Sequence, residues 1–343
     1  MSLSIQIDSL KLADPVIAAF QNDATAAFSV LDALREESGI PECDILLLFT
    51  DDLVGAVQKH SRTIGDDSSG FTAERVGGMV AAKNLPQADD YSKVLIVFDA
   101  TFWSNEEGPY GTARVVRLFL LAHELCHPIL ERARHCSGAL DDVAFPSFTG
   151  NEVARSLTRI LADEYRADRI ADLYIRQIAN AAIDGEVRPV GIGEVLAGSH
   201  QEAAFASVAQ AHPLWPDVVQ NYRHWGTDLS TMWARLVGNM EQTITSLIHA
   251  QAAADTIGGR TLLDEARFRS LPARTLYLGP LEPLIDGLRK QPLLAKFEET
   301  RSLDAQIVAI GEKAFLQIWA KLGLTINERP DRQWSLWVGE PAK

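Results

Sequence analysis

His123, Glu124 and His127 have the types and spacing to hold a metal ion and move a proton. They stand in the order His-Glu-x-x-His within Leu121–Arg134, LAHELCHPILERAR. On a helix, residues i and i+4 share a face, so His123 and His127 can grip one ion. Imidazole nitrogen suits zinc, and a catalytic zinc usually has three protein ligands and one position for water. Glu124 lies at the edge of that face, where a carboxylate can take a proton from the water without being a ligand. Val116, Leu118, Phe119, Leu120 and Leu121 lie just upstream, so the helix is a buried one, and buried histidines need partners. The plainer alternative is a core helix whose histidines are satisfied by neighbouring carbonyls. A third ligand decides between the two.

Ala154–Ile178 supplies a candidate. Leu157, Ile160, Leu161, Ala167, Ile170, Ala171, Leu173 and Tyr174 recur with helical periodicity, and Asn151 after Gly150 is the expected N-cap. Glu164 continues the line of Leu157, Ile160 and Leu161, and Asp168 follows one turn later. A carboxylate in an apolar stripe is costly without a cation or donors. A metal ion would compensate Glu164, and Asp168 could accept the free ring N–H of a ligand histidine and fix its tautomer. The competing expectation pairs both acids with Arg159, Arg166 or Arg169 at the helix surface.

Together, HELCH and EYRADRIAD resemble the gluzincin zinc metallopeptidases, whose pattern is His-Glu-x-x-His followed by Glu-x-x-x-Asp on a later helix. The resemblance implies His123, His127 and Glu164 as zinc ligands, Glu124 as general base and Asp168 as the residue that orients a ligand. Glu-Tyr-x-Ala-Asp-Arg is similar to the prenyl-protein-endopeptidase and heat-shock protease branch, and to small regulatory peptidases that cleave phage-type repressors. The first branch has a downstream His-Pro pair near its metal. His212-Pro213 matches it, which implies His212 as a catalytic donor to the developing oxyanion. The arginine that follows in that branch has no match at its expected place, and Arg223 is the nearest substitute. The resemblance covers residues 115–175 well and the rest faintly. Pro128 departs from a plain helix: it disfavours the α conformation at His127 and removes a hydrogen bond, so a kink is expected there. Cys126 is expected to face away from the histidines and pack as a small apolar residue.

The elements around this pair follow from the rest of the chain. Its 343 residues, 47% apolar, suffice for one large domain or two small ones. Residues 15–38 read as one or two helices ending at Gly39. Cys43–Thr50 and Lys93–Asp99 read as buried strands, residues 52–60 as a short helix, Asp66–Gly70 as a turn and Phe71–Lys83 as a hairpin or bulged strand. Trp103–Gly111 and His135–Gly150 read as loops, Val187–Ile192 as a linker, residues 194–211 as a helix and Asp228–Ala254 as a long amphipathic one. Further helices are expected near 281–299 and 303–322, with a late strand at Gln333–Val338. The fold expected is α+β and zincin-like: a small mixed sheet with the metal-bearing helices over residues 1–255, then a mostly helical C-terminal region, 256–343.

The formal net charge of −14 argues against nucleic acid or anionic lipid as partners. No membrane span or secretory signal is expected. Cys43, Cys126 and Cys136 show no paired framework, so the expected location is the cytoplasm. The function expected is zinc-dependent hydrolysis of a peptide bond in a peptide or protein substrate. The alternatives are a non-catalytic regulatory or binding protein that keeps the fold and zinc site, and zinc hydrolysis of a non-peptide amide. The sequence leaves oligomeric state open.

Overall fold

The apolar runs Asp44–Thr50 (β2) and Lys93–Asp99 (β6) form the centre of a four-stranded sheet in the computed structural model. The structure describes residues 1–9, 12–61, 74–75, 78–79, 81–103, 112–139, 150–183, 186–328 and 334–340. Ser2–Asp8 (β1), β2 and β6 run parallel, with Ile5 opposite Leu47 and Leu47 opposite Ile96. Ala82–Pro86 (β5) closes the order β1-β2-β6-β5 antiparallel to β6. Helix Asp14–Glu37 (α1) separates β1 from β2, and its end at Gly39 uses a left-handed φ of +73° that suits glycine. Helix Leu53–His60 (α2) follows β2, its Gly55 N–H capped by Asp52 at 2.9 Å.

Alternation along the two central strands divides their side chains between two faces. Ile45, Leu47 and Phe49 of β2 and Val94, Ile96 and Phe98 of β6 enter the main core with α1 and Thr112–Cys136 (α3). Leu48, Leu95 and Val97 face the other way, onto Leu53 and Val57 of α2. Both faces are covered, which is why these strands read as continuous apolar runs. Phe20 stacks on Phe49 at 4.2 Å, and Trp103 meets the edge of Phe49 at 5.1 Å.

Gly150–Ile178 (α4) is one unbroken helix. After it come the hairpin Asn180–Ile183 (β7) and Glu186–Pro189 (β8), then helices Ile192–Arg223 (α5) and Leu229–Thr256 (α6). Next are the helical turn Ala266–Arg269 (α7), Glu282–Lys290 (α8), Phe297–Lys321 (α9), and a second hairpin of Leu324–Glu328 (β9) and Trp334–Val338 (β10). Glu74–Arg75 (β3) and Gly78–Met79 (β4) also pair antiparallel, as the hairpin reading of that region expected. The chain divides into two compact units, each assembled from separated stretches. One holds residues 1–138, 166–196 and 293–300, and the other 139–165, 197–292 and 301–343. The architecture is α+β: a small mixed sheet, with helices dominating the C-terminal half. Among the described residues no helix is long and apolar enough to cross a membrane.

Several local expectations are corrected. The sequence expectation has no strand before residue 15, yet exposure alternates along Ser2–Asp8 as a one-faced strand requires. Residues 187–192, read as a linker, contribute most of β8. Helix α5 does not stop near residue 211: it runs through Pro213 and Pro216 to Arg223. Helix α3, by contrast, continues past Pro128 to Cys136 as the reading of Leu121–Arg134 expected. Asn151 lies within the first turn of α4 instead of capping it, and Leu173 is exposed instead of joining the apolar stripe. The expected turn at 66–70 and most of the loops at 103–111 and 135–150 lie outside the described residues.

Within the second unit, Arg159 of α4 pairs with Asp304 at 3.0 Å, and Arg155 with Glu312 at 2.8 Å. A Cβ added at Gly311 of α9 would come within 2.1 Å of the Thr158 hydroxyl, so glycine is what lets α9 and α4 approach there. Gly311→Ala is expected to lower stability by about 1–3 kcal/mol through overpacking, read as a reduced midpoint in urea unfolding with unchanged slope.

Candidate metal centre

Helix α3 carries a continuous buried face of Leu118, Leu121, Ala122, Leu125, Cys126 and Ile129, and this face brings His123 inside with it. His127, one turn on, turns its ring the same way: the two Nε2 atoms stand 3.0 Å apart. Two nitrogens bound to one tetrahedral ion at ordinary Zn–N lengths stand about 3.3 Å apart, close to this arrangement. Glu164 completes the group. One ligand atom from each of His123, His127 and Glu164 lies within 4.8 Å of the other two, so the cluster can hold a metal ion.

Asp168 sets the chemistry of His123. Its Oδ1 lies 2.8 Å from His123 Nδ1, without the straight line of a regular hydrogen bond, and both side chains are buried. A carboxylate there repels a bare lone pair and favours the N–H on Nδ1. The Nε2 lone pair is then left for the cluster. With the Glu164 carboxylate in the same group, two imidazoles and a negative charge converge, a donor set that a divalent cation balances. The competing surface pairing is not what the described contacts of Asp168 and Arg159 show, since Asp168 faces His123 and Arg159 pairs with Asp304.

Glu124 stands outside the ligand group. Its carboxylate accepts a short hydrogen bond from the Asn84 amide, which comes from edge strand β5. The same amide lies 3.3 Å from the main-chain oxygen of Glu124. That oxygen is the acceptor four residues before Pro128, so proline has removed its helical donor. Asn84 therefore supplies the hydrogen bond that Pro128 deletes, and this is how α3 passes its internal proline while the Glu124 side chain is held.

Cys126 packs away in the core, where burial, with Asp168 and Glu124 adding their charges, pushes its thiol far above the ordinary value. It is not part of the ligand group. His212 is not brought into the ligand group. It sits inside α5 in the second unit, its ring tilted against Tyr277 at 6.2 Å. Arg223, named as the substitute for the missing arginine, donates instead to the main-chain oxygens of Leu322 and Gly339. Two residues escaped the sequence reading. Asn84 lies in β5, one residue past the hairpin or bulged strand expected over Phe71–Lys83, and His249 lies on α6, with its Nε2 3.6 Å from Glu164 Oε2. Neither carries a local sequence signal, since strand register and helix packing bring them there.

No protein-family model matches the chain, and neither a curated protein nor a solved structure is significantly similar to it. The gluzincin resemblance therefore rests on the residues themselves.

Protein loaded with zinc and desalted should retain about one ion per chain, and His123→Ala and Glu164→Ala should lose it, by elemental analysis. Asp168→Asn should bind zinc ~10–100-fold more weakly. Asn84→Ala should cost about 1–2 kcal/mol in denaturant unfolding. The cost should shrink in a Pro128→Ala background, where the helix regains its own donor.

Proposed function

We propose that this chain is a zinc metallopeptidase of the gluzincin type, acting on a peptide or protein substrate in the cytoplasm. The observation that carries the reading is the convergence of His123, His127 and Glu164, with a further acid, Glu124, beside the group and not in it. A purely structural metal site needs its ligands and their supports but has no use for such an acid. When bound, zinc would polarise the scissile carbonyl and lower the pKa of water toward neutrality.

The chain's own residues supply the remaining roles. Glu124 takes the proton of the attacking water and hands it to the leaving amine as the peptide bond breaks. Asn84 aims the Glu124 carboxylate. Asp168 keeps the His123 ring in the tautomer that offers Nε2. An extended peptide pairing along the outer edge of β5 would pass beside Asn84, with backbone hydrogen bonds making little demand on its sequence. His212, tilted against Tyr277 and outside the ligand group, takes no step in this reaction.

Glu124→Gln separates this reading from a non-catalytic binding protein with the same zinc site. The variant should keep fold and zinc yet lose most turnover, ~100-fold or more, because proton transfer has no replacement. The measurement compares new peptide termini generated in a cell proteome by wild type and by Glu124→Gln. Termini from wild type alone support the proposal. Termini produced equally by both refute Glu124 as the base. No termini from either, with partners retained on both proteins, point to the binding role.

A further inference from the structure

A carboxylate that ligates a metal usually has one of its oxygens held by a donor, because both oxygens leave water when the site closes. Around the cluster, His123 has such an outer partner in Asp168 at 2.8 Å. Glu164 has a candidate of the opposite character. His249 of α6 reaches it with Nε2 3.6 Å from Oε2, and both side chains are largely buried, 25% and 21% exposed. Ile248 and Ala250 on either side of His249 are buried, so the ring's position is set by the packing of α6 and not by a mobile surface segment. The His200 ring of α5 lies 6.0 Å from the His249 ring at a tilt of 31°.

Resting on the reading of His123, His127 and Glu164 as a metal centre, we propose that His249 is the positioning residue of Glu164. In the metal-loaded site its ring N–H closes from this 3.6 Å approach onto one carboxylate oxygen, so that the other oxygen alone serves as ligand. His249 is not itself part of the ligand group. A glutamate bound through a single oxygen leaves one more coordination position for water than a glutamate bound through both. Asp168 on His123 and His249 on Glu164 then form a reciprocal pair of supports: an acid that orients a ligand base, and a base that orients a ligand acid.

The test is zinc affinity, measured by competition with a chromophoric chelator on the full chain. His249→Phe keeps the ring volume and deletes the N–H, and should weaken zinc binding ~10–100-fold. His249→Gln, which restores an N–H near the position of Nε2, should recover most of that loss, a recovery that lost packing alone would not give. In Glu164→Ala protein, whose residual affinity comes from the two histidines, adding His249→Phe should change nothing further. Zinc affinity of His249→Phe within about twofold of wild type would overturn the proposal and leave the metal centre intact. So would an equal loss in the Glu164→Ala background, because the effect would then not run through Glu164. Wild type that fails to bind zinc at all would overturn the metal centre and this proposal together.

Discussion

Imidazole and carboxylate groups that leave water must find partners, and this requirement governs helices α3 and α4 and what is built around them. An unpaired buried polar group costs several kcal/mol on the scale of about 2–7 for transfer without compensation, comparable to a domain's whole margin of stability. Both helices nevertheless bury such groups: His123 on α3, and Asp163, Asp168 and Asp172 on α4. Asp172 is met by the Ile192 N–H at 2.6 Å and by Arg176 at 2.8 Å, and Asp168 by His123. Beside these pairings two Nε2 atoms and the Glu164 carboxylate converge into a group that could hold a metal ion.

The same accounting explains Pro128. A proline inside a buried helix leaves an acceptor without its donor, and the acceptor here belongs to Glu124. The cost is met from outside the helix by Asn84, which stands on the edge strand and can reach both the main chain and the side chain of one residue. A backbone defect in α3 and the posture of the proposed base are thereby one feature. In the described sheet β2 and β6 are central and buried on both faces, β1 and β5 are the edge strands, and β5 is the one that lies against α3.

How much of this could be read from the sequence depends on the range of each signal. The histidine pair is local, four residues apart on a helix, and Glu164 and Asp168 stood out as acids within an apolar stripe. The buried runs 44–50 and 93–99 and the long helices α1, α4 and α6 followed from periodicity. What escaped was decided by distant packing or by rules with exceptions. Strand β1 has only a half-buried alternation of Leu3, Ile5 and Ile7, easily missed beside the stronger runs. Pro213 and Pro216 signal breaks, yet α5 carries on through both. Asn84 and His249 have ordinary local contexts, and only register and helix packing bring them to Glu124 and Glu164.

The central claim is that His123, His127 and Glu164 bind one zinc ion while Glu124 does not. Its most direct measurement is anomalous diffraction at the zinc absorption edge from crystals of the full chain soaked in zinc. One strong peak is expected about 2.0–2.2 Å from both Nε2 atoms and from a Glu164 oxygen, with the Glu124 carboxylate outside bonding distance. A peak ligated by Glu124, a peak elsewhere in the chain, or an empty centre beside saturating zinc would contradict it.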